Sequence, residues 1–299
     1  MSLRQVTEII LKRGFEVNEE DFKRSPLYHR LCNLMVQQAP LTFLLPAFPA
    51  KSPSPKKTYG KLPDMGEVLA LRNLENMCLE ISQVYYPGAE VVICSDGRVF
   101  SDVVAVKDED IDSYHEGVKL IIEEFYLKHL KVLAMDDLFP GKTPSELRQI
   151  LLDFYCEDLE DIRQRILTDK KTETLFNGLH RFLKEDQKEL YGDFGQNAYN
   201  KLMKERAYEL LRRSDGWSRL IEEHFRDSLR LSIHPHPVNH SKFGIQLVKS
   251  KSKWATPWHN VLVRMGDEFE LMHLHEATQL GAVLKFEKGR YAYFETTKI

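Results

Sequence analysis

At 299 residues, with 42% hydrophobic and 29% charged, the chain holds enough apolar material for a packed core and does not have the composition of a disordered polypeptide. A formal net charge of -3 and a pI of about 6.4 argue against a nucleic-acid binder, although a few placed Lys and Arg still suffice for a small anion. No stretch approaches the ~20 apolar residues that span a bilayer, and no leader pattern opens the chain, so a cytoplasmic protein with no membrane partner is expected.

Three apolar runs in the first half, Leu41–Leu45, Glu90–Cys94 and Lys131–Met135, predict buried parallel strands. Helical spacing separates them, with Val68, Leu71, Leu74, Cys78, Ile81 and Tyr85 in one segment and Val118, Ile121, Ile122 and Phe125 in the next. This order predicts an α/β fold with a Rossmann-like, mainly parallel sheet. Ligands of such sheets sit beyond the carboxyl ends of the strands, where the loops after Leu45 and Cys94 fall. A helical block over 144–228 follows. Thr143 is placed to cap it, Pro144 to open it and Glu146 to close the capping box. Further helices are expected near 157–168, 171–189 and 196–227, with Lys184–Lys188 and Lys204–Arg206 read as solvated faces. From 229 the texture becomes short and partly alternating, which predicts a β-rich, antiparallel C-terminal third that joins the first sheet. The expectation is one catalytic unit over 1–299: an α/β layer at about 35–140, a helical block and a β-rich part over 229–299. Cys32, Cys78, Cys94 and Cys156 are scattered without a CxxC pair and read as buried, reduced thiols.

Three regions carry candidate chemistry. The loop from Phe48 to Asp64 holds four prolines within 49–63 and the cations Lys51, Lys56, Lys57 and Lys61. A solvated linker would have the same composition. After a central strand, however, Lys51 and Lys57, with the donors Ser52 and Ser54, could meet a phosphate or carboxylate. No GxxxxGK[ST] is present, so this is not a P-loop. The segment Ser95–Asp102 delivers Asp96, Arg98, Ser101 and Asp102 at a strand end. Asp-Gly by itself signals a tight turn. Arg98 offers a planar fork to an anion, and Asp96 and Asp102 could hold an amine or sugar hydroxyls.

The third region, Ser232–His259, stiffens His234, His236 and His259 with Pro235, Pro237 and Pro257, and adds Lys242, Phe243 and Trp258. Imidazoles near their pKa suit proton transfer, and Trp258 and Phe243 could stack on an aromatic substrate. A zinc site, from His234, His236 and His240 or from His273, His275 and Glu276, is the competing reading. In the second set both imidazoles would share one face of a strand. Proline on both sides of His236 makes a converging ligand shell harder to build.

In these residues the chain resembles the isocyanide (isonitrile) synthase family of the pyoverdine/dityrosine biosynthesis type. The matching motifs are Phe48-Pro-Ala-Lys-Ser-Pro53 leading to Leu62-Pro-Asp64, Asp96–Asp102, Leu231-Ser-Ile-His-Pro235 and Pro257-Trp-His259, in the family's order from about 40 to 270. The resemblance implies a Rossmann-like fold with no metal or nucleotide cofactor. It implies conversion of the α-amine of tyrosine, or else tryptophan, to an isocyanide, with ribulose 5-phosphate as the one-carbon co-substrate. Lys51, Lys57, Arg98 and Lys242 would then neutralise phosphate and carboxylate, with Ser52, Ser101 and Trp258 also contacting substrate. Asp96 and Asp102 would position the amine or hydroxyls, and His234 and His259 would shuttle protons. A downstream iron/2-oxoglutarate oxygenase is the pathway partner this implies, and the long helical block offers a face for a homodimer. An N-formylating relative and a zinc-dependent hydrolase are the alternatives.

Overall fold

A computed structural model describes residues 3–15, 17–237 and 239–296, so the last three residues of the expected β-rich part lie outside it. The N-terminal helices α1 (Leu3–Leu11), α2 (Glu19–Lys23) and α3 (Pro26–Val36) lead into strand β1 (Leu41–Pro46). Then come α4 (Met65–Val84), β2 (Ala89–Cys94), α5 (Gly97–Phe100), α6 (Asp108–Glu124) and β3 (Leu130–Leu133). The helical block comprises α7 (Met135–Leu138), α8 (Pro144–Phe154), α9 (Leu159–Thr168), α10 (Lys170–Asp186) and α11 (Gln196–His224). It gives way to β4 (Leu229–Ser232), β5 (Phe243–Gly244), β6 (Val261–Met265), β7 (Glu268–Met272), α12 (Leu274–Gln279), β8 (Val283–Glu287) and β9 (Tyr291–Thr296).

The first sheet is parallel throughout, in the order β3-β2-β1-β4-β5. Its strands read as continuous apolar runs because both faces are covered. Leu41, Phe43 and Leu45 of β1 enter the larger core, with Ile10 of α1, Leu31 of α3, Leu71 of α4 and Tyr114 of α6. Leu44, Val92 and Cys94 point the other way, onto Leu147 and Leu151 of α8 and Trp217, Leu220 and Ile221 of α11. A third core lies inside the helical block and includes Ile162, Phe176, Leu183, Met203 and Leu211. The expected start of α8 is present in full, with Thr143 Oγ1 accepting from Glu146 N and Glu146 reaching back to Thr143 N at 2.8 Å.

Several expectations are corrected. Only β4 and β5 join the first sheet, and they pair in parallel. Prolines at 235, 237 and 257 interrupt the segment that follows, and proline has no N–H to continue a ladder. The remaining strands form a second, mixed sheet in the order β7-β6-β9-β8, with its own small core around Val261, Val263, Ala277 and Phe294. Met135 begins α7 rather than ending β3. Asp96-Gly97 opens α5 and is no hairpin turn. His273 caps α12 instead of lying in a strand, because Glu276 reaches back to its backbone N–H at 2.8 Å. Asp186 and Gln187, within the run read as solvated, are fully buried. Cys78 and Cys94 are buried free thiols, whereas Cys32 and Cys156 are only half-buried.

Candidate active site

The loop after β1 is the hub of the site. Phe48 takes a left-handed φ of 58°, and its carbonyl accepts from Ser95 Oγ at 3.0 Å, which ties the ends of β1 and β2 together. Ser52 N donates to Trp258 O at 2.8 Å, and Leu274 N and His275 N donate to Lys57 O and Lys56 O. One loop therefore touches all three predicted regions. Its contact with the second is so close that a Cβ on Gly97 would stand 2.1 Å from Pro49 O. Gly244 is similarly placed, with His234 O 2.5 Å from an added Cβ.

The cations of this loop are engaged by the protein itself. Lys51 is buried and reaches Asp64 at 2.8 Å, Glu67 at 2.9 Å and Pro257 O at 3.0 Å. Asp64 also caps α4 at Gly66 N, and Tyr114 donates its hydroxyl to Glu67 at 2.9 Å. Burial, with Glu67 adjacent, pushes the Asp64 carboxyl up to about 8 despite Lys51, so a single cation does not leave two bare charges in the core. Lys57 pairs with Asp186 at 3.2 Å and Glu185 at 3.3 Å and lies 5.3 Å from the Phe182 ring centroid. Ser52 Oγ donates to the same Asp186 oxygen at 2.6 Å. Lys51 and Lys57, expected as anion ligands, are thus ion-paired within the protein, and their backbones and partners shape the site. Lys51 and Ser52 also line a recess of about 370 Å³ with Pro53, Pro55, Val106 and Leu190.

The second region divides. Arg98 is surrounded by Asp108 at 3.0 Å, Asp112 and Asp136 at 3.4 Å. Ser101 donates to Asp108 at 2.9 Å and accepts from Arg148, while Asp102 is held by Arg213 at 2.6 Å. These three side chains fasten α5 to α6, α8 and α11. Arg98, Ser101 and Asp102, expected as substrate contacts, are engaged by these partners, with about half of the Asp102 side chain in solvent. Asp96 alone is left over. It sits at the N-cap of α5 without bonding the helix, and its Oδ1 is shut from solvent with no partner. Burial pushes its carboxyl up to about 7.

In the third region, His259 bonds Thr256 Oγ1 through Nδ1 at 3.0 Å and meets the Phe182 ring edge-on at 5.1 Å. Burial takes its pKa down to about 4, opposed by Asp186 and assisted by Lys57 and Lys51. His234 is likewise lowered to about 4 by burial and by the neighbouring His259. Its ring lies 4.7 Å from that of Trp254, and its Nδ1 is buried without a partner. His236 bonds Ser232 Oγ at 3.0 Å and stacks on His240 at 4.4 Å. Trp258 is corrected from substrate platform to core, being fully buried against Phe48 at 5.1 Å. Among the described residues no three His, Cys, Asp or Glu side chains converge to hold a metal.

What remains as an acid–base set is the Asp96 carboxyl just after β2 and the neighbouring imidazoles of His234 and His259, the latter acted on by Asp186. Asp186 and Phe182 escape a sequence reading, since they lie in a run whose charge suggests surface. Imidazoles that stay unprotonated at pH 7 and a carboxyl that titrates near it are candidate groups for proton transfer.

Fold and site together describe an enzyme built on a Rossmann-like parallel sheet. The chain belongs to the pyoverdine/dityrosine biosynthesis protein family, whose model matches residues 31–284, and it is an enzyme of the isocyanide synthase type. It is 40% identical to the L-tyrosine isonitrile synthase of Pseudomonas aeruginosa over 85% of this chain and 79% of that protein. Against the L-tryptophan isonitrile synthase AmbI2 of Fischerella ambigua the identity is 37%, over 98% of this chain and 92% of that protein. The crystal structure of PvcA from Pseudomonas aeruginosa superposes with a TM-score of 0.89 at 34% identity, covering 99% of this chain and 100% of PvcA. No described helix is long and apolar enough to cross a membrane.

Proposed function

We propose that this enzyme converts the α-amine of an aromatic L-amino acid, tyrosine in preference to tryptophan, to an isocyanide, with ribulose 5-phosphate as the one-carbon donor. The observations that support it most are the Asp96 Oδ1 and the His234 Nδ1, both shut from solvent and without a protein partner. A buried polar atom without a partner is costly, and a substrate that bonds it removes the cost. An amine can attack a ketone only as the free base. The neutral imidazoles of His234 and His259 can take the ammonium proton and return it to the carbinolamine hydroxyl, which leaves as water when the imine forms. Asp96, titrating near neutrality, can relay the protons released as the sugar skeleton is cleaved. The substrate amine is itself the nucleophile, so no lysine Schiff base is needed. Relatives named for tyrosine and for tryptophan are of similar identity, and an aromatic side chain is common to both substrates.

Purified enzyme incubated with ribulose 5-phosphate and each aromatic amino acid is the test. The isocyanide of tyrosine, detected by mass, is the expected product. A product one water heavier would make the enzyme the N-formylating relative, and no product from any pair would overturn the reading.

A further inference from the structure

On the face of the first sheet that meets α11, Arg230 of β4 is only 4% exposed. Its Nη2 donates to Ser218 Oγ at 3.2 Å, but Nε and Nη1 are shut from solvent without a hydrogen-bond partner. The closest carboxylate, Glu222 of α11, stands 3.5 Å from Nη1, and about half of its side chain is in solvent. The β4–β5 ladder pairs Leu231 with Phe243, so Lys242, one residue before β5, is level with Arg230 and on the same face. Lys242 is half-buried, and its ammonium makes no hydrogen bond or ion pair among the described residues. Burial lowers both cations, and the charge of Arg230 lowers Lys242 further. Two adjacent cations, both withdrawn from water and sharing one half-exposed carboxylate, are poorly satisfied when the site is empty.

The donor set has a natural complement. A guanidinium fork with two free edges beside an ammonium matches the geometry and charge of a phosphate monoester. Lys242 also lines, with His236 and His240, a recess of about 110 Å³. Ser232, the last residue of β4, carries His236 at this rim, and two residues further on the chain places His234 in the acid–base set.

We propose that Arg230 and Lys242 form the seat for the phosphate group of the phosphorylated substrate, and that Glu222 is the carboxylate an incoming phosphate displaces. That the occupant is a phosphosugar rests on the function proposed above, whereas recognition of the phosphate group itself does not. Calorimetric titration of the full-length enzyme with inorganic phosphate, ribulose 5-phosphate and unphosphorylated ribulose tests this. Both phosphate ligands should bind the wild type, and ribulose should bind much more weakly. Arg230→Gln and Lys242→Gln should each weaken both phosphate ligands tenfold or more and raise the KM for ribulose 5-phosphate, leaving the KM for tyrosine unchanged. Glu222→Gln should tighten phosphate severalfold. Equal binding of ribulose and ribulose 5-phosphate, or phosphate affinity in Lys242→Gln within twofold of wild type, would overturn the seat. If buried Arg230→Gln does not fold, the Lys242 and Glu222 variants decide alone. Loss of phosphate binding in the variants of an enzyme that makes no isocyanide would keep the seat and sink the phosphosugar reading. Turnover with an unaltered ribulose 5-phosphate KM in all three variants would do the reverse.

Discussion

Burial moves Asp96 and the two histidines His234 and His259 in opposite directions for one reason: it penalises whichever protonation state carries charge. The Asp96 carboxyl rises to about 7, while His234 and His259 fall to about 4. Near neutral pH the imidazoles are therefore wholly unprotonated, and Asp96 is the group whose charge changes. If ionised Asp96 is required, kcat/KM should rise with pH along a single limb of midpoint near 7, with no histidine limb near 6.5. Asp96→Asn should lower kcat/KM by roughly 10²–10⁴ and abolish that limb. A limb near 7 that persists in the variant would remove Asp96 from proton transfer. Arg98 shows the converse case. Its residue type suits an anion, and three carboxylates of the protein already surround it and fasten α5 to its neighbours.

At the scale of elements, glycine decides how closely the loops can approach. At Gly97 an added methyl would meet the Pro49 carbonyl at 2.1 Å, and both atoms belong to backbone that other bonds hold in place. Gly97→Ala should therefore destabilise the fold by about 1–3 kcal/mol and open the junction between the first two loops, with activity lost beyond the loss of folded protein. Gly178→Ala, in α10 with nothing within 4 Å, should instead gain about 0.5–1 kcal/mol from lower unfolded-state entropy. Urea denaturation of the two variants compares them, and equal effects would show that close approach is not what requires Gly97. The sequence pair Asp-Gly could signal only a turn, because the atom that excludes Cβ lies 48 residues away in the chain. The same limit explains the rest of the comparison. Buried parallel strands and the Thr143 cap were legible because their signals are local. The ion pairs of Lys51 and Lys57, the burial of Asp186 in a charged run and the separate second sheet depend on partners distant in sequence, which periodicity cannot register.

For the molecule as a whole, the site costs stability, and the cost has a sign that depends on pH. An unfolded histidine takes a proton near 6.5, but folded His259 does so only near 4. Between those values the unfolded chain binds more protons. The stability that neutral His259 contributes is thus complete above 6.5 and is lost as pH falls through that window. Asp96 behaves oppositely. Its unfolded pKa is near 3.9 and its folded value about 7, so the folded state is favoured at low pH and loses that advantage as pH rises towards 7. Asp64, raised to about 8, adds to the acid-favoured side, so the wild-type curve alone mixes cancelling contributions. Variants separate them. Relative to His259→Gln, the wild type should weaken as pH is lowered from 7 to 4.5, and relative to Asp96→Asn it should weaken as pH is raised over the same range. Each slope should be on the order of 1 kcal/mol or more across the window in urea denaturation. Parallel curves for wild type and either variant would mean that the group is not held in its uncharged form by the fold, and its role in proton transfer at neutral pH would fall with it.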